Sequence, residues 1–201
     1  MNLLFFLILM VLQQPTQVAG TNAVNLLHNS DASEGMRFWN PEGNATIEDV
    51  EGNPCFVLRR GGQFTQTAAV SEGNEDLYVV LIGHVWSEYV HPDGAITDRP
   101  HLYGLARDDS KGRILDHLQA RTMSGRGRAQ EWETVYGIFH VPIGTTRIQF
   151  QLGQSSRKGV PYSGAAARFD DLALYVVTDE SVARAIVARQ VTNPLFRLGA
   201  E

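Results

Sequence analysis

From Ala45 onward, short runs rich in β-branched and aromatic residues alternate with clusters of Gly, Pro, Asn and Asp. This alternation is typical of strands joined by turns. It predicts nine strands, near residues 45–50, 54–60, 63–70, 76–90, 101–107, 113–121, 131–141, 146–153 and 165–177. No convincing helix lies between them, and parallel strands need long crossover connections that are usually helical. The sequence therefore predicts an all-β fold, an antiparallel β-sandwich or barrel.

The segment after Asp179 changes character, because Val182, Ala185 and Ile186 recur there at helical spacing. Asp179 is placed to cap a helix, and the proline of Asn193-Pro194 should end it. We therefore expect a sandwich domain over residues 21–178 and a short helical tail over residues 179–201. This C-terminal helix could dock a protein partner.

The first twenty residues contain no charged side chain, and Leu3 to Leu12 form an unbroken apolar run. This layout is typical of a secretory signal peptide, and the run is too short for the ~20 apolar residues that span a bilayer. We expect residues 1–20 to be cleaved near Gly20, with the mature protein secreted, extracellular or periplasmic, and with no membrane span. The alternative is a buried N-terminal strand, since apolar runs of this length are ambiguous.

Charge and cysteine usage exclude some classes of protein. The formal net charge is −5, and a nucleic-acid binder would need a basic patch to neutralise phosphates. Cys55 is the single cysteine, so no intrachain disulfide can form. A packed core must therefore stabilise the fold, with help from a bound ion as one option.

Three motifs occur in order: an Asn-Leu-Leu opening followed by Gly and Trp (residues 25–39), a Trp-containing strand ending in Val-Pro (131–153), and an Asp-Asp strand (167–177). In this order they resemble the cenC-type carbohydrate-binding modules, which are galactose-binding-like jelly rolls. The resemblance implies a two-sheet jelly roll with a sugar site on its concave face or loop rim. Such modules usually accompany a catalytic domain.

Adjacent carboxylates such as Asp170 and Asp171 are costly at a strand entry unless a cation or backbone donors neutralise them. In the resembled family this acidic pair lies beside an early Glu-containing loop, and together they hold a structural calcium ion. The resemblance implies that Glu34 and Asp170 are the matching ligands here. Turn carboxylates paired with Arg168 or with solvent are the alternative.

A sugar site needs a flat ring for the C–H face of the sugar and polar groups for its hydroxyls. Trp39 and Trp132 are expected to pack in the fold, whereas Trp86 shares a strand face with His84 and Glu88. We therefore predict Trp86 as the stacking platform. The rings of Tyr89 and Tyr103 are further candidates, and candidate hydrogen-bonding residues are Glu88, Arg107, Asn40 and Gln151.

No motif in the chain indicates catalysis. The histidines lack a metal-ligand spacing of high specificity, and no Gly-x-Ser-x-Gly nucleophile elbow is present. The sequence thus predicts a non-catalytic module that binds a polysaccharide or other glycan. The alternative is a structural or protein-interaction sandwich without a sugar site, since a fold does not fix a function.

Overall fold

The computed structural model describes residues 23–70, 76–88, 98–120, 130–156 and 158–192. It contains eight strands and one helix in this part of the chain. They are β1 (Asn40–Val50), β2 (Asn53–Ala69), β3 (Leu77–Ser87), β4 (Arg99–Asp108), β5 (Arg113–Ala120), β6 (Trp132–Val141), β7 (Arg147–Ser155), β8 (Ala167–Val177) and α1 (Glu180–Thr192).

The strands form two antiparallel sheets that share the long strand β2. The C-terminal half of β2 pairs with β7, and the first sheet continues through β4 to β5. The N-terminal half pairs with β8, and the second sheet continues through β3 to β6. Strand β1 pairs with β2 along its other edge. The predicted fold class, an antiparallel β-sandwich or jelly roll with a short C-terminal helix, is confirmed.

The two strands predicted at 54–60 and 63–70 are a single strand. A bulge with Arg60 and Gly61 at positive φ, 51° and 75°, bends β2 between its two sheets. The next residue, Gly62, lies so close to β1 that a Cβ atom there would be 2.5 Å from the Asn44 carbonyl oxygen. Glycines in a strand predict a break when only the sequence is considered, but here they permit a bend without ending the pairing.

The main core lies between the two sheets. Alternate residues of each strand point into it, among them Leu81 of β3, Leu102 of β4 and Phe150 of β7. Trp39 is 4 % exposed, packs against Phe56 with ring centroids 4.8 Å apart, and donates its indole N–H to the Asn29 carbonyl. The prediction that Trp39 packs in the core is confirmed.

Helix α1 covers the outer face of the second sheet. Asp179 accepts a hydrogen bond from the Ser181 backbone N–H at 2.7 Å, which is the expected N-terminal cap. The helix packs its apolar residues against the sheet in a second buried cluster of Val80, Ile82, Ala173, Tyr175, Ala183, Ile186 and Val187. Its apolar side is thus occupied within the chain. Among the described residues no helix has the length and apolarity to cross a membrane.

Candidate functional site

The outer face of the first sheet is polar and is built by strict alternation along β4 and β7. Leu102 and Ala106 of β4 point into the core, so His101, Tyr103, Leu105 and Arg107 point outward and are half-buried. The outward residues of β7 include Gln149 and Gln151 by the same rule. We call this surface the glutamine face; its members are Gln63, Gln119, Gln149, Gln151, His101, Tyr103, Arg107 and His117.

Strand register brings these side chains into rows that cross the sheet. Gln119, Tyr103 and Gln151 are direct neighbours on β5, β4 and β7. The row continues through Thr65 of β2 to Asn40 of β1. Directly opposed side chains on one face have Cβ atoms about 5 Å apart. One aromatic ring therefore has an amide on each side.

Three rings lie near one another on the glutamine face. The Tyr103 centroid is 5.7 Å from that of His117 and 6.4 Å from that of His101. The Tyr103 hydroxyl and the His117 Nδ1 form a hydrogen-bonded pair. The His101 imidazole lies over Gly153, where an added Cβ atom would be 2.6 Å from its Nε2. Gly153 thus provides the space that this ring occupies.

Hydrogen bonds hold the amide side chains in place. Gln151 donates to the Oε1 of Gln63 at 2.7 Å, and Gln63 in turn donates to Glu42. On the other side, Arg107 donates through Nη1 to the Oε1 of Gln149 at 2.8 Å. Side chains that are already oriented lose less conformational freedom when a ligand binds.

The Tyr103 phenol remains neutral in the physiological range. Burial raises the pKa of Tyr103 above its ordinary value of 10.0, and the nearby Asp116 carboxylate adds to this effect. A neutral phenol keeps its O–H donor as well as its acceptor lone pairs. The glutamine face therefore combines a ring, several amides and a cation, which are groups that can bind sugar hydroxyls.

The predicted sugar-binding residues divide between two surfaces. Tyr103, Arg107 and Gln151 share the glutamine face, and Asn40 lies at the far end of the row that contains Tyr103 and Gln151. Trp86 lies on the outer face of the second sheet, beside Trp132 of β6 and Arg168 of β8. Tyr89 lies outside the described residues.

Trp86 is half-buried, and one side of its ring is occupied. The Arg168 guanidinium carbon lies 4.1 Å from the Trp86 ring centroid. Glu88, at the end of β3, accepts a hydrogen bond from the Ala166 backbone N–H at 2.7 Å and so links that end to β8. Trp86 and Glu88 therefore already have partners within the fold, on the sheet opposite the glutamine face.

A cavity of about 400 Å³ lies beside the bulge between β1 and β2. It is lined by Gly43, Asn44, Ala45, Thr46, Arg59, Arg60 and Gly164. The Arg59 side chain is already bound to the Glu48 carboxylate through both terminal nitrogens. None of the described residues that line this cavity is aromatic, and a sugar platform requires a ring.

Asp170 and Glu34 are the predicted calcium ligands. Asp170 is buried, with Oδ2 accepting from the Asn53 side chain at 2.7 Å and Oδ1 accepting from the Asp171 N–H at 2.8 Å. Burial raises the pKa of Asp170 to about 6, opposed by the Asn53 hydrogen bond and increased by the carboxylates of Asp171 and Asp31. The early loop does lie beside β8, because Leu172 donates its N–H to the Ser30 carbonyl.

Glu34, by contrast, forms a 2.6 Å ion pair with Arg37 of its own loop. Across the described ranges, no three His, Cys, Asp or Glu side chains form a cluster that could hold a metal ion. A calcium ion held by Glu34 and Asp170 stays a prediction.

His101, His117, Gln63, Gln119 and Gln149 were not predicted as sugar-binding residues. The sequence does carry a signal for two of the strands involved: polar residues alternate with apolar ones in RIQFQL (147–152), and they do so in HLYGLAR (101–107) except at Leu105. Period-2 alternation predicts an outward face. It does not show that β4 and β7 are neighbours, which requires the sheet order.

Several solved structures have a similar fold. The catalytically active part of a bacteriophage CBA120 tailspike is 14 % identical, with a TM-score of 0.53 over 76 % of this chain and 21 % of that one. An arabinose-bound α-L-arabinofuranosidase is 14 % identical, with a TM-score of 0.51 over 78 % of this chain and 27 % of that one. The chain thus spans about a quarter or less of these two proteins.

A xylan-binding domain from Paenibacillus barcinonensis, of the type named CBM22, is similar over nearly its whole length. The TM-score is 0.50 at 13 % identity, over 78 % of this chain and 97 % of that domain. At such identities the likeness shows the fold alone. No protein-family model and no curated protein sequence matches the chain, and the cenC-type assignment stays a prediction.

Proposed function

We propose that this protein is a non-catalytic carbohydrate-binding module and that its glycan binds across the glutamine face. The observation that carries the proposal is the row of Gln119, Tyr103 and Gln151. Tyr103 supplies a ring for the C–H face of a sugar, and the flanking amides supply donors and acceptors for its hydroxyls. Because the row crosses β5, β4 and β7, these groups are held on rigid strands.

Proteins of similar fold support a carbohydrate as the ligand. One is described as a xylan-binding domain, and another was solved with arabinose bound. Catalysis is a weaker proposal, because most glycoside hydrolases act through a pair of carboxylates. The residues directly opposite Tyr103 are the amides Gln119 and Gln151, and a single carboxylate, that of Asp116, acts on its phenol.

Secretion is part of the same proposal. A module that binds an extracellular polysaccharide must leave the cytoplasm, and the apolar run Leu3 to Leu12 is suited to direct export. This segment lies outside the described residues, so the proposal depends on the sequence pattern alone.

The proposal can be tested by affinity electrophoresis of the chain from residue 21 onward in gels containing xylan, galactan, arabinan, β-glucan or polygalacturonate. We expect at least one polymer to slow migration of the native protein. The triple variant Tyr103→Ala, Gln149→Ala, Gln151→Ala should migrate as it does in a gel without polymer, with an unchanged circular dichroism spectrum. Failure of every polymer to slow the native protein, in the gels and on a glycan array, would favour the structural or protein-interaction alternative.

A further inference from the structure

Arg107 is a cation on the glutamine face that no carboxylate neutralises within the described residues. It occupies an outward position on β4, where it lies opposite Arg147 of β7. Its side chain is half-buried, and Nη1 donates to the neutral amide oxygen of Gln149. Only this one of its five N–H donors has a protein acceptor within the described part of the chain.

The carboxylates near this end of β4 are bound to other groups. Asp108 accepts from the Ser110 hydroxyl at 2.6 Å and lies 3.4 Å from the Lys111 ammonium. Asp109 pairs with Arg147 at 2.5 Å. Within the described residues no carboxylate therefore pairs with Arg107, whereas its neighbour Arg147 and the nearby Lys111 each have one.

A guanidinium group in such a setting is suited to an anion. Its planar N–H donors match the two oxygens of a carboxylate or the oxygens of a sulfate, and charge-assisted hydrogen bonds are about twice as strong as neutral ones. A neutral sugar hydroxyl offers neither the charge nor the paired geometry. The charge of Arg107 is thus better used by an acidic ligand than by a neutral one.

Arg107 and Tyr103 are placed to contact the same glycan chain. They are four residues apart on one face of β4, which corresponds to about 13 Å at a rise of ~3.3 Å per residue. Leu105 is the outward residue between them, so no other charged side chain of β4 lies between Tyr103 and Arg107 on this face. A glycan that lies along β4 can reach both.

We infer that the ligand is an acidic polysaccharide, with Tyr103 stacking on one sugar and Arg107 pairing with an anionic group farther along the chain. This inference rests on the proposed function of the glutamine face. The net charge of −5 gives the protein no general attraction for polyanions, so the recognition is local. Uronic-acid carboxylates and sulfate esters share the required chemistry.

The test measures binding of the chain from residue 21 onward at physiological ionic strength to four polymers: polygalacturonate, the same polymer with its carboxyl groups reduced, dextran sulfate and dextran. Arg107→Gln, Arg107→Lys and Arg113→Gln are compared with the native protein. Arg113 is the matched control, because it is an exposed arginine at the start of β5 whose pairing with Asp108 places it off the glutamine face.

We expect the native protein to bind one acidic polymer about tenfold or more tightly than its neutral counterpart, the factor for one charge-assisted hydrogen bond. Arg107→Gln should remove that preference, Arg107→Lys should retain part of it, and Arg113→Gln should retain all of it. If the anionic group of the ligand is a uronic-acid carboxylate, the protein should prefer polygalacturonate. If it is a sulfate ester, the protein should prefer dextran sulfate. A thermal melt of each variant confirms that it is folded.

Equal or tighter binding to the neutral counterparts, or to another neutral glycan, would overturn the acidic-ligand inference while the proposed function stands. An acidic preference that survives Arg107→Gln would overturn the role of Arg107. Absence of binding to these polymers and to every other glycan examined would overturn the proposed function itself, and the inference with it.

Discussion

The buried carboxyl of Asp170 allows a test of how charge burial affects stability. The effect of Asp170→Asn on the free energy of unfolding should change sign with pH and with calcium. Asp170→Asn keeps the size of the side chain and one hydrogen-bond acceptor but removes the ionisable group. The native carboxyl accepts hydrogen bonds on both oxygens, from Asn53 and from the Asp171 N–H. The variant therefore loses one of these bonds and also loses the cost of burying a charge.

The cost of burying the charge and the loss of one hydrogen bond have opposite effects on the stability of Asp170→Asn. A pKa raised from 3.8 to about 6 corresponds to roughly 3 kcal/mol of destabilisation once the group is ionised in both states. The lost hydrogen bond costs about 1 kcal/mol. We expect a net stabilisation of about 1 to 2 kcal/mol above pH 7 without calcium, which corresponds to a Tm increase of roughly 2 to 8 °C for a domain of this size.

The direction of the pH dependence follows from the raised pKa. Because the folded pKa lies above the unfolded value, Asp170 favours the native state fully below about pH 4 and loses this contribution as the pH rises through about 6. The advantage of Asp170→Asn should therefore be absent at about pH 4. If Asp170 binds calcium, excess calcium stabilises the native protein by mass action, and the variant becomes the less stable one.

Thermal unfolding by calorimetry at about pH 4 and pH 8, in chelator and in excess calcium, measures these differences. Asp116→Asn is the control, since it removes a carboxylate from an exposed position on β5. A lower Tm for Asp170→Asn at pH 8 in chelator would refute the burial argument. An identical Tm of the native protein in chelator and in calcium would contradict the predicted calcium site.

Three further outcomes are expected. Trp39→Ala should destabilise the fold by about 3 to 5 kcal/mol in chemical denaturation, and a loss below 1 kcal/mol would mean that Trp39 is not a core residue. Gly153→Ala should displace His101 and weaken glycan binding with a small change in Tm; unchanged affinity would exclude His101 from the site. Mass spectrometry of secreted material should show that residues 1–20 are absent, and an intact Met1 would contradict the signal peptide.

The fold was largely predictable because its strands carry local signals. Eight observed strands and the helix lie close to the predicted segments, and Asp179 caps α1 as its position indicated. Gly61 and Gly62 predict a gap between two strands, whereas the structure has a bend within one strand. A turn and a bulge use the same residues, and only the pairing of β2 with β1 on both sides of the bend distinguishes them.

The candidate site was predictable only in part. The chemistry of Tyr103 and Arg107 predicts a sugar-binding role for both, and the structure places them on one face. Trp86 has equally suitable chemistry, but sheet order puts it on the opposite face beside Arg168. The partners of a strand residue depend on non-local pairing, so Gln149 of β7 and the histidines of β4 and β5 could not be grouped with Tyr103 from the sequence.

The most direct test of the account compares one ring from each face. The binding affinity of the chain from residue 21 onward for an oligosaccharide of the polymer it recognises can be measured by calorimetry for the native protein, Tyr103→Ala and Trp86→Ala. Losing the Tyr103 ring should cost about 2 kcal/mol, roughly a thirtyfold weaker affinity, while Trp86→Ala should leave the affinity within about a factor of two. The opposite result, with folded variants, would contradict the glutamine face as the site and return the platform to Trp86.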